Sequence, residues 1–122
     1  MSLNVVLLAN DPKTAETLAI GLGQHFRAVI LAGSRDELRE KVAKNRPQVV
    51  VLDVEHSRLS DVRNLHQDFP SLPIVCTHRI PDEKLWLAAL EAGASDVCAA
   101  DDVQDVLTSV LRSVAMTQTA AA

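Results

Sequence analysis

The sequence predicts a single α/β domain with a doubly wound, five-stranded parallel sheet. Short apolar runs alternate with longer segments whose apolar residues recur at helical spacing, and this βα pattern occurs five times. The short runs are apolar on consecutive positions, which is typical of strands buried on both faces. A chain of 122 residues favours one domain with one core. We expect this domain to span residues 1–122, with a core over about 4–116 and a frayed tail at 117–122.

The first two βα units follow one another near the start of the sequence. The run Val5–Ala9 predicts the first strand, and Asp11, which precedes a proline, is a suitable N-cap for the first helix. A second strand is predicted over Arg27–Leu31. Ser34 and Glu37 have the spacing of a capping box, so the second helix is expected to begin there.

The last three units follow the strongest strand signal of the chain. Their predicted elements are a strand at Val49–Leu52 closed by Asp53, a helix at Asp61–Phe69, a strand at Ile74–Thr77, a helix from Pro81 and Asp82 to Ala92, a strand at Asp96–Ala99 and a helix from Asp101 and Asp102 through Val114. Alternation of this kind implies a parallel sheet with helices on both faces. In such sheets the functional site lies at the carboxyl ends of the strands, where Asn10, Asp11, Asp53 and Thr77 fall.

Composition excludes several classes of function. The net charge of −4 argues against direct binding to nucleic acid, which requires a basic face. No apolar run approaches the roughly 20 residues of a membrane span. No basic leader precedes an apolar segment, so we expect a cytoplasmic protein without membrane attachment. Cys76 and Cys98 have no metal-binding or redox spacing, and we expect both to be packed core thiols.

Four stretches resemble the receiver domain of two-component response regulators, and the resemblance extends roughly from Asn4 to Val114. They are LLANDP at 7–12, PQVVVLD at 47–53, LPIVCT at 72–77 and ALEAGASD at 89–96. The second and fourth stretches are specific when they occur together at this separation. The resemblance implies the flavodoxin-like receiver fold, with strand order 2-1-3-4-5. It also implies a signalling domain rather than an enzyme.

The resemblance assigns roles to several residues at the strand ends. Asp53 corresponds to the aspartate that accepts a phosphoryl group, and Thr77 corresponds to the hydroxyl residue that contacts it. In the family, acidic residues after the first strand help to hold Mg²⁺. Here a weak Mg²⁺ site would have to use Asp53, Asn10 and Asp11.

Other positions depart from the family pattern. The acidic pair is replaced by Ala9 and Asn10, and the lysine after the fifth strand by Ala100. His78 replaces a small residue, where its bulk is expected to obstruct the phosphoryl donor, and Val97 replaces the aromatic switch residue. Ala9, Asn10 and Ala100 thus remove charges that would stabilise the transition state. We therefore expect a degenerate site with slow or absent phosphorylation by small donors.

The same residues also allow simpler interpretations. Asp53 could close a loop, Thr77 could be an ordinary β-branched strand residue, and Asp11 favours helix capping over metal binding. A transition-metal site can also be imagined from the loop residues Asp53, Glu55, His56 and His78. Because nothing in the sequence fixes their geometry, these four are expected to be solvated loop residues.

Two functions remain open at this stage. The first is a phosphorelay receiver that accepts a phosphoryl group at Asp53 from a histidine kinase or phosphotransfer protein. The alternative is a pseudo-receiver, a protein-interaction module that works without phosphorylation. In either case the face formed by the fourth helix, the fifth strand and the last helix is expected to support a homodimer or partner contact, with Trp86 and Val97 as its candidate residues.

Overall fold

The structure, a computed structural model, describes residues 3–55 and 57–121, with residues 118–121 in their backbone only. Five strands alternate with five helices. They are β1 (Asn4–Leu8), α1 (Pro12–Leu22), β2 (Ala28–Leu31), α2 (Arg35–Asn45), β3 (Val49–Asp53), α3 (Leu59–Asp68), β4 (Ile74–His78), α4 (Glu83–Ala92), β5 (Asp96–Ala99) and α5 (Val103–Ala121). Helix α5 therefore includes most of the segment predicted as a tail, and Ala122 lies outside the described residues.

The five strands form one parallel sheet in the order β2-β1-β3-β4-β5. The predicted fold class and strand order are confirmed. Strand β3 lies at the centre of the sheet, and all five of its residues are buried. The run of consecutive apolar residues that marked β3 in the sequence thus corresponds to a strand covered on both faces.

Successive residues of each strand point to opposite faces of the sheet and build two separate cores. Val50 and Leu52 pack with residues of α2, α3 and α4, whereas Val49 and Val51 pack with residues of α1 and α5. We call the side of the sheet that packs against α2, α3 and α4 the α2–α4 face, and the side that packs against α1 and α5 the α1/α5 face. The same alternation along every strand decides which side chains meet at the carboxyl edge of the sheet.

Two predicted helix caps are confirmed. The Asp11 carboxylate accepts a hydrogen bond from the Thr14 N–H at 3.2 Å, and the Ser34 hydroxyl accepts one from the Glu37 N–H at 3.2 Å. Each contact satisfies an amide that has no partner inside its helix. The helices α1 and α2 therefore begin where the sequence predicts, directly after these residues.

Helix α3 begins two residues earlier than predicted, at Leu59 rather than Asp61. Asp61 lies within the first turn, and its carboxylate accepts a hydrogen bond from the Arg58 N–H at 3.0 Å. An acidic residue in this position stabilises a helix start from inside the first turn. The sequence signal was therefore correct, but it marked the first turn rather than the first residue.

The two cysteines are free and buried, as predicted. Cys76 belongs to the core of the α2–α4 face, and Cys98 belongs to the core of the α1/α5 face. Because the sheet separates their side chains, the two thiols are not placed to form a disulfide. Burial raises the pKa of each thiol to about 12, so neither is a nucleophile at neutral pH.

Gly93 ends α4 in a conformation that favours glycine, and it gives the first testable prediction. Its φ is +113°, and a Cβ at this position would lie 2.5 Å from Cγ of His66 on α3. We expect Gly93→Ala to lower the free energy of unfolding by about 1–3 kcal/mol, because it adds both backbone strain and a steric clash. Urea denaturation followed by circular dichroism measures the change.

Gly33→Ala is the matched control for this substitution. A Cβ at Gly33 would meet only the Glu37 carboxylate oxygen, at 3.4 Å. Its unfolding free energy should stay within about 0.5 kcal/mol of the parent protein. Equal destabilisation by both substitutions would contradict the role assigned to the Gly93–His66 contact.

Candidate functional site

Asp53 is the last residue of β3 and Thr77 is the last but one of β4, at the carboxyl edge of the sheet. They are register partners between β3 and β4, and the Val54 N–H donates to the Thr77 carbonyl at 2.9 Å. Asp53 is 8% exposed and Thr77 is 1% exposed. The two residues that the sequence singled out therefore lie side by side on adjacent strands at the carboxyl edge of the sheet.

Backbone amides from two loops hold the Asp53 carboxylate. The Asn10 N–H, after β1, donates to Oδ2 at 3.3 Å, and the Glu55 N–H, after β3, donates to Oδ1 at 2.8 Å. These two hydrogen bonds fix the orientation of the carboxylate. A buried carboxylate that is oriented in this way can act as a nucleophile or as a ligand for a cation.

Asp53 opens onto a cavity of about 440 Å³ at the carboxyl edge. The side chains around it come from the ends of β1, β3, β4 and β5 and from the start of α1. The lining residues are Ala9, Asp11, Thr14, Asp53, Glu55, Thr77, Arg79, Ala100 and Asp101. We call this space the Asp53 cavity.

The period-two alternation of the strands separates the candidate residues into two groups. Ala9 and Thr77 line the Asp53 cavity, on the α1/α5 face. Asn10 lies one position further along the chain than Ala9, and it lines a different depression beside Ser34 and Arg58. A shared Mg²⁺ site would require the Asn10 side chain and the Asp53 carboxylate in the same cavity. In the structure these two residues line different cavities.

His78 also lies on the other side of the sheet from the cavity lining. Its Nδ1 accepts a hydrogen bond from the Ile80 N–H at 3.0 Å, which ties the ring to the loop after β4. Arg79, the next residue, lines the Asp53 cavity instead. His78 is not among the residues that line the Asp53 cavity, and obstruction of the phosphoryl donor by its ring stays a prediction.

Asp11 both caps α1 and lines the Asp53 cavity. Its Oδ2 accepts from the Thr14 hydroxyl at 2.7 Å and from the Thr14 N–H, and these bonds hold the pKa of the carboxyl below its ordinary value. The predicted capping role is confirmed. Asp11 and Asp53 together offer two carboxylates to one cavity, and Mg²⁺ typically takes that number from a protein when it keeps several waters.

Asp53 and Asp11 both line this cavity and are the residues that would hold a Mg²⁺ ion there. Within residues 3–55 and 57–121, no group of three or more His, Cys, Asp or Glu side chains could hold a metal ion. A Zn²⁺ site built from the loop residues finds no support in the described part of the chain, since His78 faces the opposite side. His56 lies outside the described residues.

Arg79 is the residue of this site that the sequence argument missed. Its Nη2 lies 3.2 Å from Oε1 of Glu55, so the two side chains form an ion pair beside Asp53. The signal was available, because Arg79 follows Thr77 by two positions and alternation predicts that both point to the same face.

The predicted interaction face is exposed at α4 but not at β5. Trp86 is 43% exposed, and Leu87 and Ile80 add two further exposed apolar side chains close by in sequence. Val97 is only 9% exposed and belongs to the core of the α2–α4 face. Of the two predicted interface residues, Trp86 is thus the one that offers surface to a partner.

Solved structures that resemble this chain include receiver domains at low sequence identity. One is the response regulator receiver domain protein (CheY-like) from Methanospirillum hungatei JF-1, with a TM-score of 0.86, 12% identity and coverage of 98% of both chains. Another is a putative response regulator from Chloroflexus aurantiacus J-10-fl, with a TM-score of 0.84, 24% identity and coverage of 94% of this chain and 99% of that one. These comparisons establish the fold.

Sequence similarity also relates this chain to response regulators. The response regulator MprA of Mycobacterium sp. strain KMS is 31% identical over 99 residues, which cover 79% of this chain and 43% of that protein. By fold and by sequence similarity, this chain is a response-regulator receiver domain. It spans less than half the length of the response regulators it matches. No protein-family profile matches it.

Asp53, which the resemblance assigns to the aspartate position, is the last residue of β3, and Thr77, which it assigns to the hydroxyl position, is the last but one of β4. Among the helices in the described part of the chain, none is long and apolar enough to cross a membrane.

Proposed function

We propose that this receiver domain accepts a phosphoryl group on Asp53 and transmits the signal by protein contact in a two-component pathway. The observation that carries the proposal is the oriented, buried Asp53 carboxylate beside Thr77, at the floor of an open cavity. A histidine kinase or phosphotransfer protein is the proposed donor, and the cytoplasm is the proposed compartment. The domain is proposed as a signalling module rather than an enzyme.

The chemistry assigned to this site is a single displacement at phosphorus. An oxygen of Asp53 forms a bond to phosphorus while the bond between phosphorus and the donor breaks, and the electron pair leaves with the donor group. In this proposal the Thr77 hydroxyl donates a hydrogen bond to a phosphoryl oxygen. When bound by Asp53 and Asp11, Mg²⁺ would neutralise negative charge on the phosphoryl group.

Ala9 and Ala100 weaken this site relative to other receivers. An alanine offers neither a carboxylate to the metal nor a cation to the phosphoryl oxygens. Each lost charge partner reduces the stabilisation of the transition state. We therefore propose a slow phosphoacceptor, and these two alanines are the observation that keeps the pseudo-receiver as the second candidate function.

Beryllofluoride with Mg²⁺ tests the phosphoacceptor proposal without requiring a cognate kinase. We expect saturating beryllofluoride to shift the amide resonances of residues around Asp53 and Thr77 in NMR spectra of the wild-type protein. Asp53→Asn should abolish these shifts, because the attacking carboxylate is lost. Asp36→Asn, which removes an exposed carboxylate on α2, should leave them unchanged. A wild-type protein that shows no shift at saturation is a pseudo-receiver.

The α4 surface is proposed to form a homodimer through the face made by α4, β5 and α5. Because Trp86 presents a large exposed aromatic side chain there, we expect Trp86→Ala to weaken self-association by about tenfold or more. Sedimentation velocity over a concentration series measures the effect. Ile20→Ala, which removes an exposed apolar side chain from α1, is the control. Equal sedimentation of all three proteins would dismiss this face as the dimer interface.

A further inference from the structure

The Arg79–Glu55 ion pair joins the loops that follow two neighbouring strands. Glu55 follows β3, and its N–H holds the Asp53 carboxylate at 2.8 Å. Arg79 follows β4, two residues beyond Thr77. The 3.2 Å contact between their side chains therefore links the two loops that follow Asp53 and Thr77.

The register of β4 and β5 places Arg79 next to the position of the missing lysine. His78 is the register partner of Ala99, and the Ala100 N–H donates to the His78 carbonyl at 2.9 Å. Continued by one residue, this pairing sets Arg79 beside Ala100, and both line the Asp53 cavity. A positive charge is thus present at this edge, in the loop after β4, next to the position after β5 that carries the lysine in other receivers.

The Asp53 cavity is lined by several carboxylates, and Arg79 supplies the positive charge near them. The described lining residues include the carboxylates of Asp11, Asp53, Glu55 and Asp101, and Arg79 is the cation among them. A phosphoryl group adds further negative charge to this acidic surface. A guanidinium is well suited to compensate it, because it stays charged and donates two parallel hydrogen bonds to phosphoryl oxygens.

We propose that Arg79 is the phosphoryl-binding cation of this receiver and that Glu55 holds it beside the cavity until the anion arrives. This inference rests on the proposed function, in which the Asp53 cavity takes a phosphoryl group. On binding, the guanidinium exchanges its Glu55 partner for phosphoryl oxygens.

The Arg79 guanidinium can exchange Glu55 for phosphoryl oxygens at a small cost in free energy. The Arg79 side chain is 75% exposed, and ion pairs at exposed positions contribute little to stability. The long side chain also has the rotamer freedom to move between two acceptors that lie at the same edge. Glu55 opposes anion binding in two ways, since it competes for Arg79 and repels the phosphoryl oxygens.

Titration of inorganic phosphate into Asp53→Asn protein tests the inference without any phosphoryl transfer. Asp53→Asn removes the nucleophile and its repulsive charge, and the absence of added metal removes any contribution from Mg²⁺. At constant ionic strength, the amide shifts of Val54, Thr77 and Ala100 report binding. Adding Arg79→Gln should raise the dissociation constant for phosphate about fivefold or more, because one close charge pair is lost.

Three further substitutions in the same Asp53→Asn background serve as controls. Arg79→Lys should retain most of the affinity because it keeps the charge, and Glu55→Gln should increase affinity because the competing carboxylate is removed. Arg39→Gln removes an equal charge from the Arg39–Asp68 pair, which joins α2 to α3, and should change affinity less than twofold.

The outcomes of this titration separate the inference from the proposed function. Absence of phosphate binding to Asp53→Asn protein, or equal affinity with and without Arg79→Gln, overturns the role of Arg79. Neither result bears on adduct formation at Asp53, which the beryllofluoride experiment measures on wild-type protein. Conversely, a wild-type protein without an adduct can still bind phosphate through Arg79, and the cavity is then an anion site without transfer chemistry.

Discussion

The alternation of side chains across a parallel sheet with a buried central strand is the constraint on which the rest of this structure depends. It divides the strand residues between two cores, and it continues into the loops at the carboxyl edge. Ala9, Asp53, Thr77 and Arg79 meet in one cavity because they lie on the same face, while Asn10 and His78 face away from it. Which side chains form the site therefore depends on the face of the sheet to which each position points as much as on its residue type.

Much of the fold could be predicted from the sequence because its signals are local. Consecutive apolar residues marked the strands, and side chains such as Ser34 marked helix starts by satisfying free amides. The site was only partly predictable. Asp53 and Thr77 were found because they end strands, but the Arg79–Glu55 contact joins residues 24 positions apart in sequence, and it becomes visible only when register is known.

The site combines retained geometry with depleted charge. The Asp53 carboxylate is buried, oriented by two backbone amides and paired in register with a hydroxyl residue. By contrast, the resemblance assigns Ala9 to the acidic pair and Ala100 to the lysine position, and neither side chain carries a charge. Electrostatic groups that are fixed in advance contribute a large part of catalysis in such sites. We propose that the charge partners missing at Ala9 and Ala100, and not the fold, limit the reactivity of Asp53.

Restoration of those charges tests this claim most directly. Ala9 and Ala100 both line the Asp53 cavity, so Ala9→Asp combined with Ala100→Lys returns a carboxylate and a cation to the positions where other receivers carry them. The rate of phosphorylation by acetyl phosphate with Mg²⁺, measured by intact-protein mass spectrometry, should rise about tenfold or more. Ala43→Lys, at an exposed position on α2, should leave the rate unchanged. An unchanged rate in the restored double variant, with its fold intact by circular dichroism, would contradict the account.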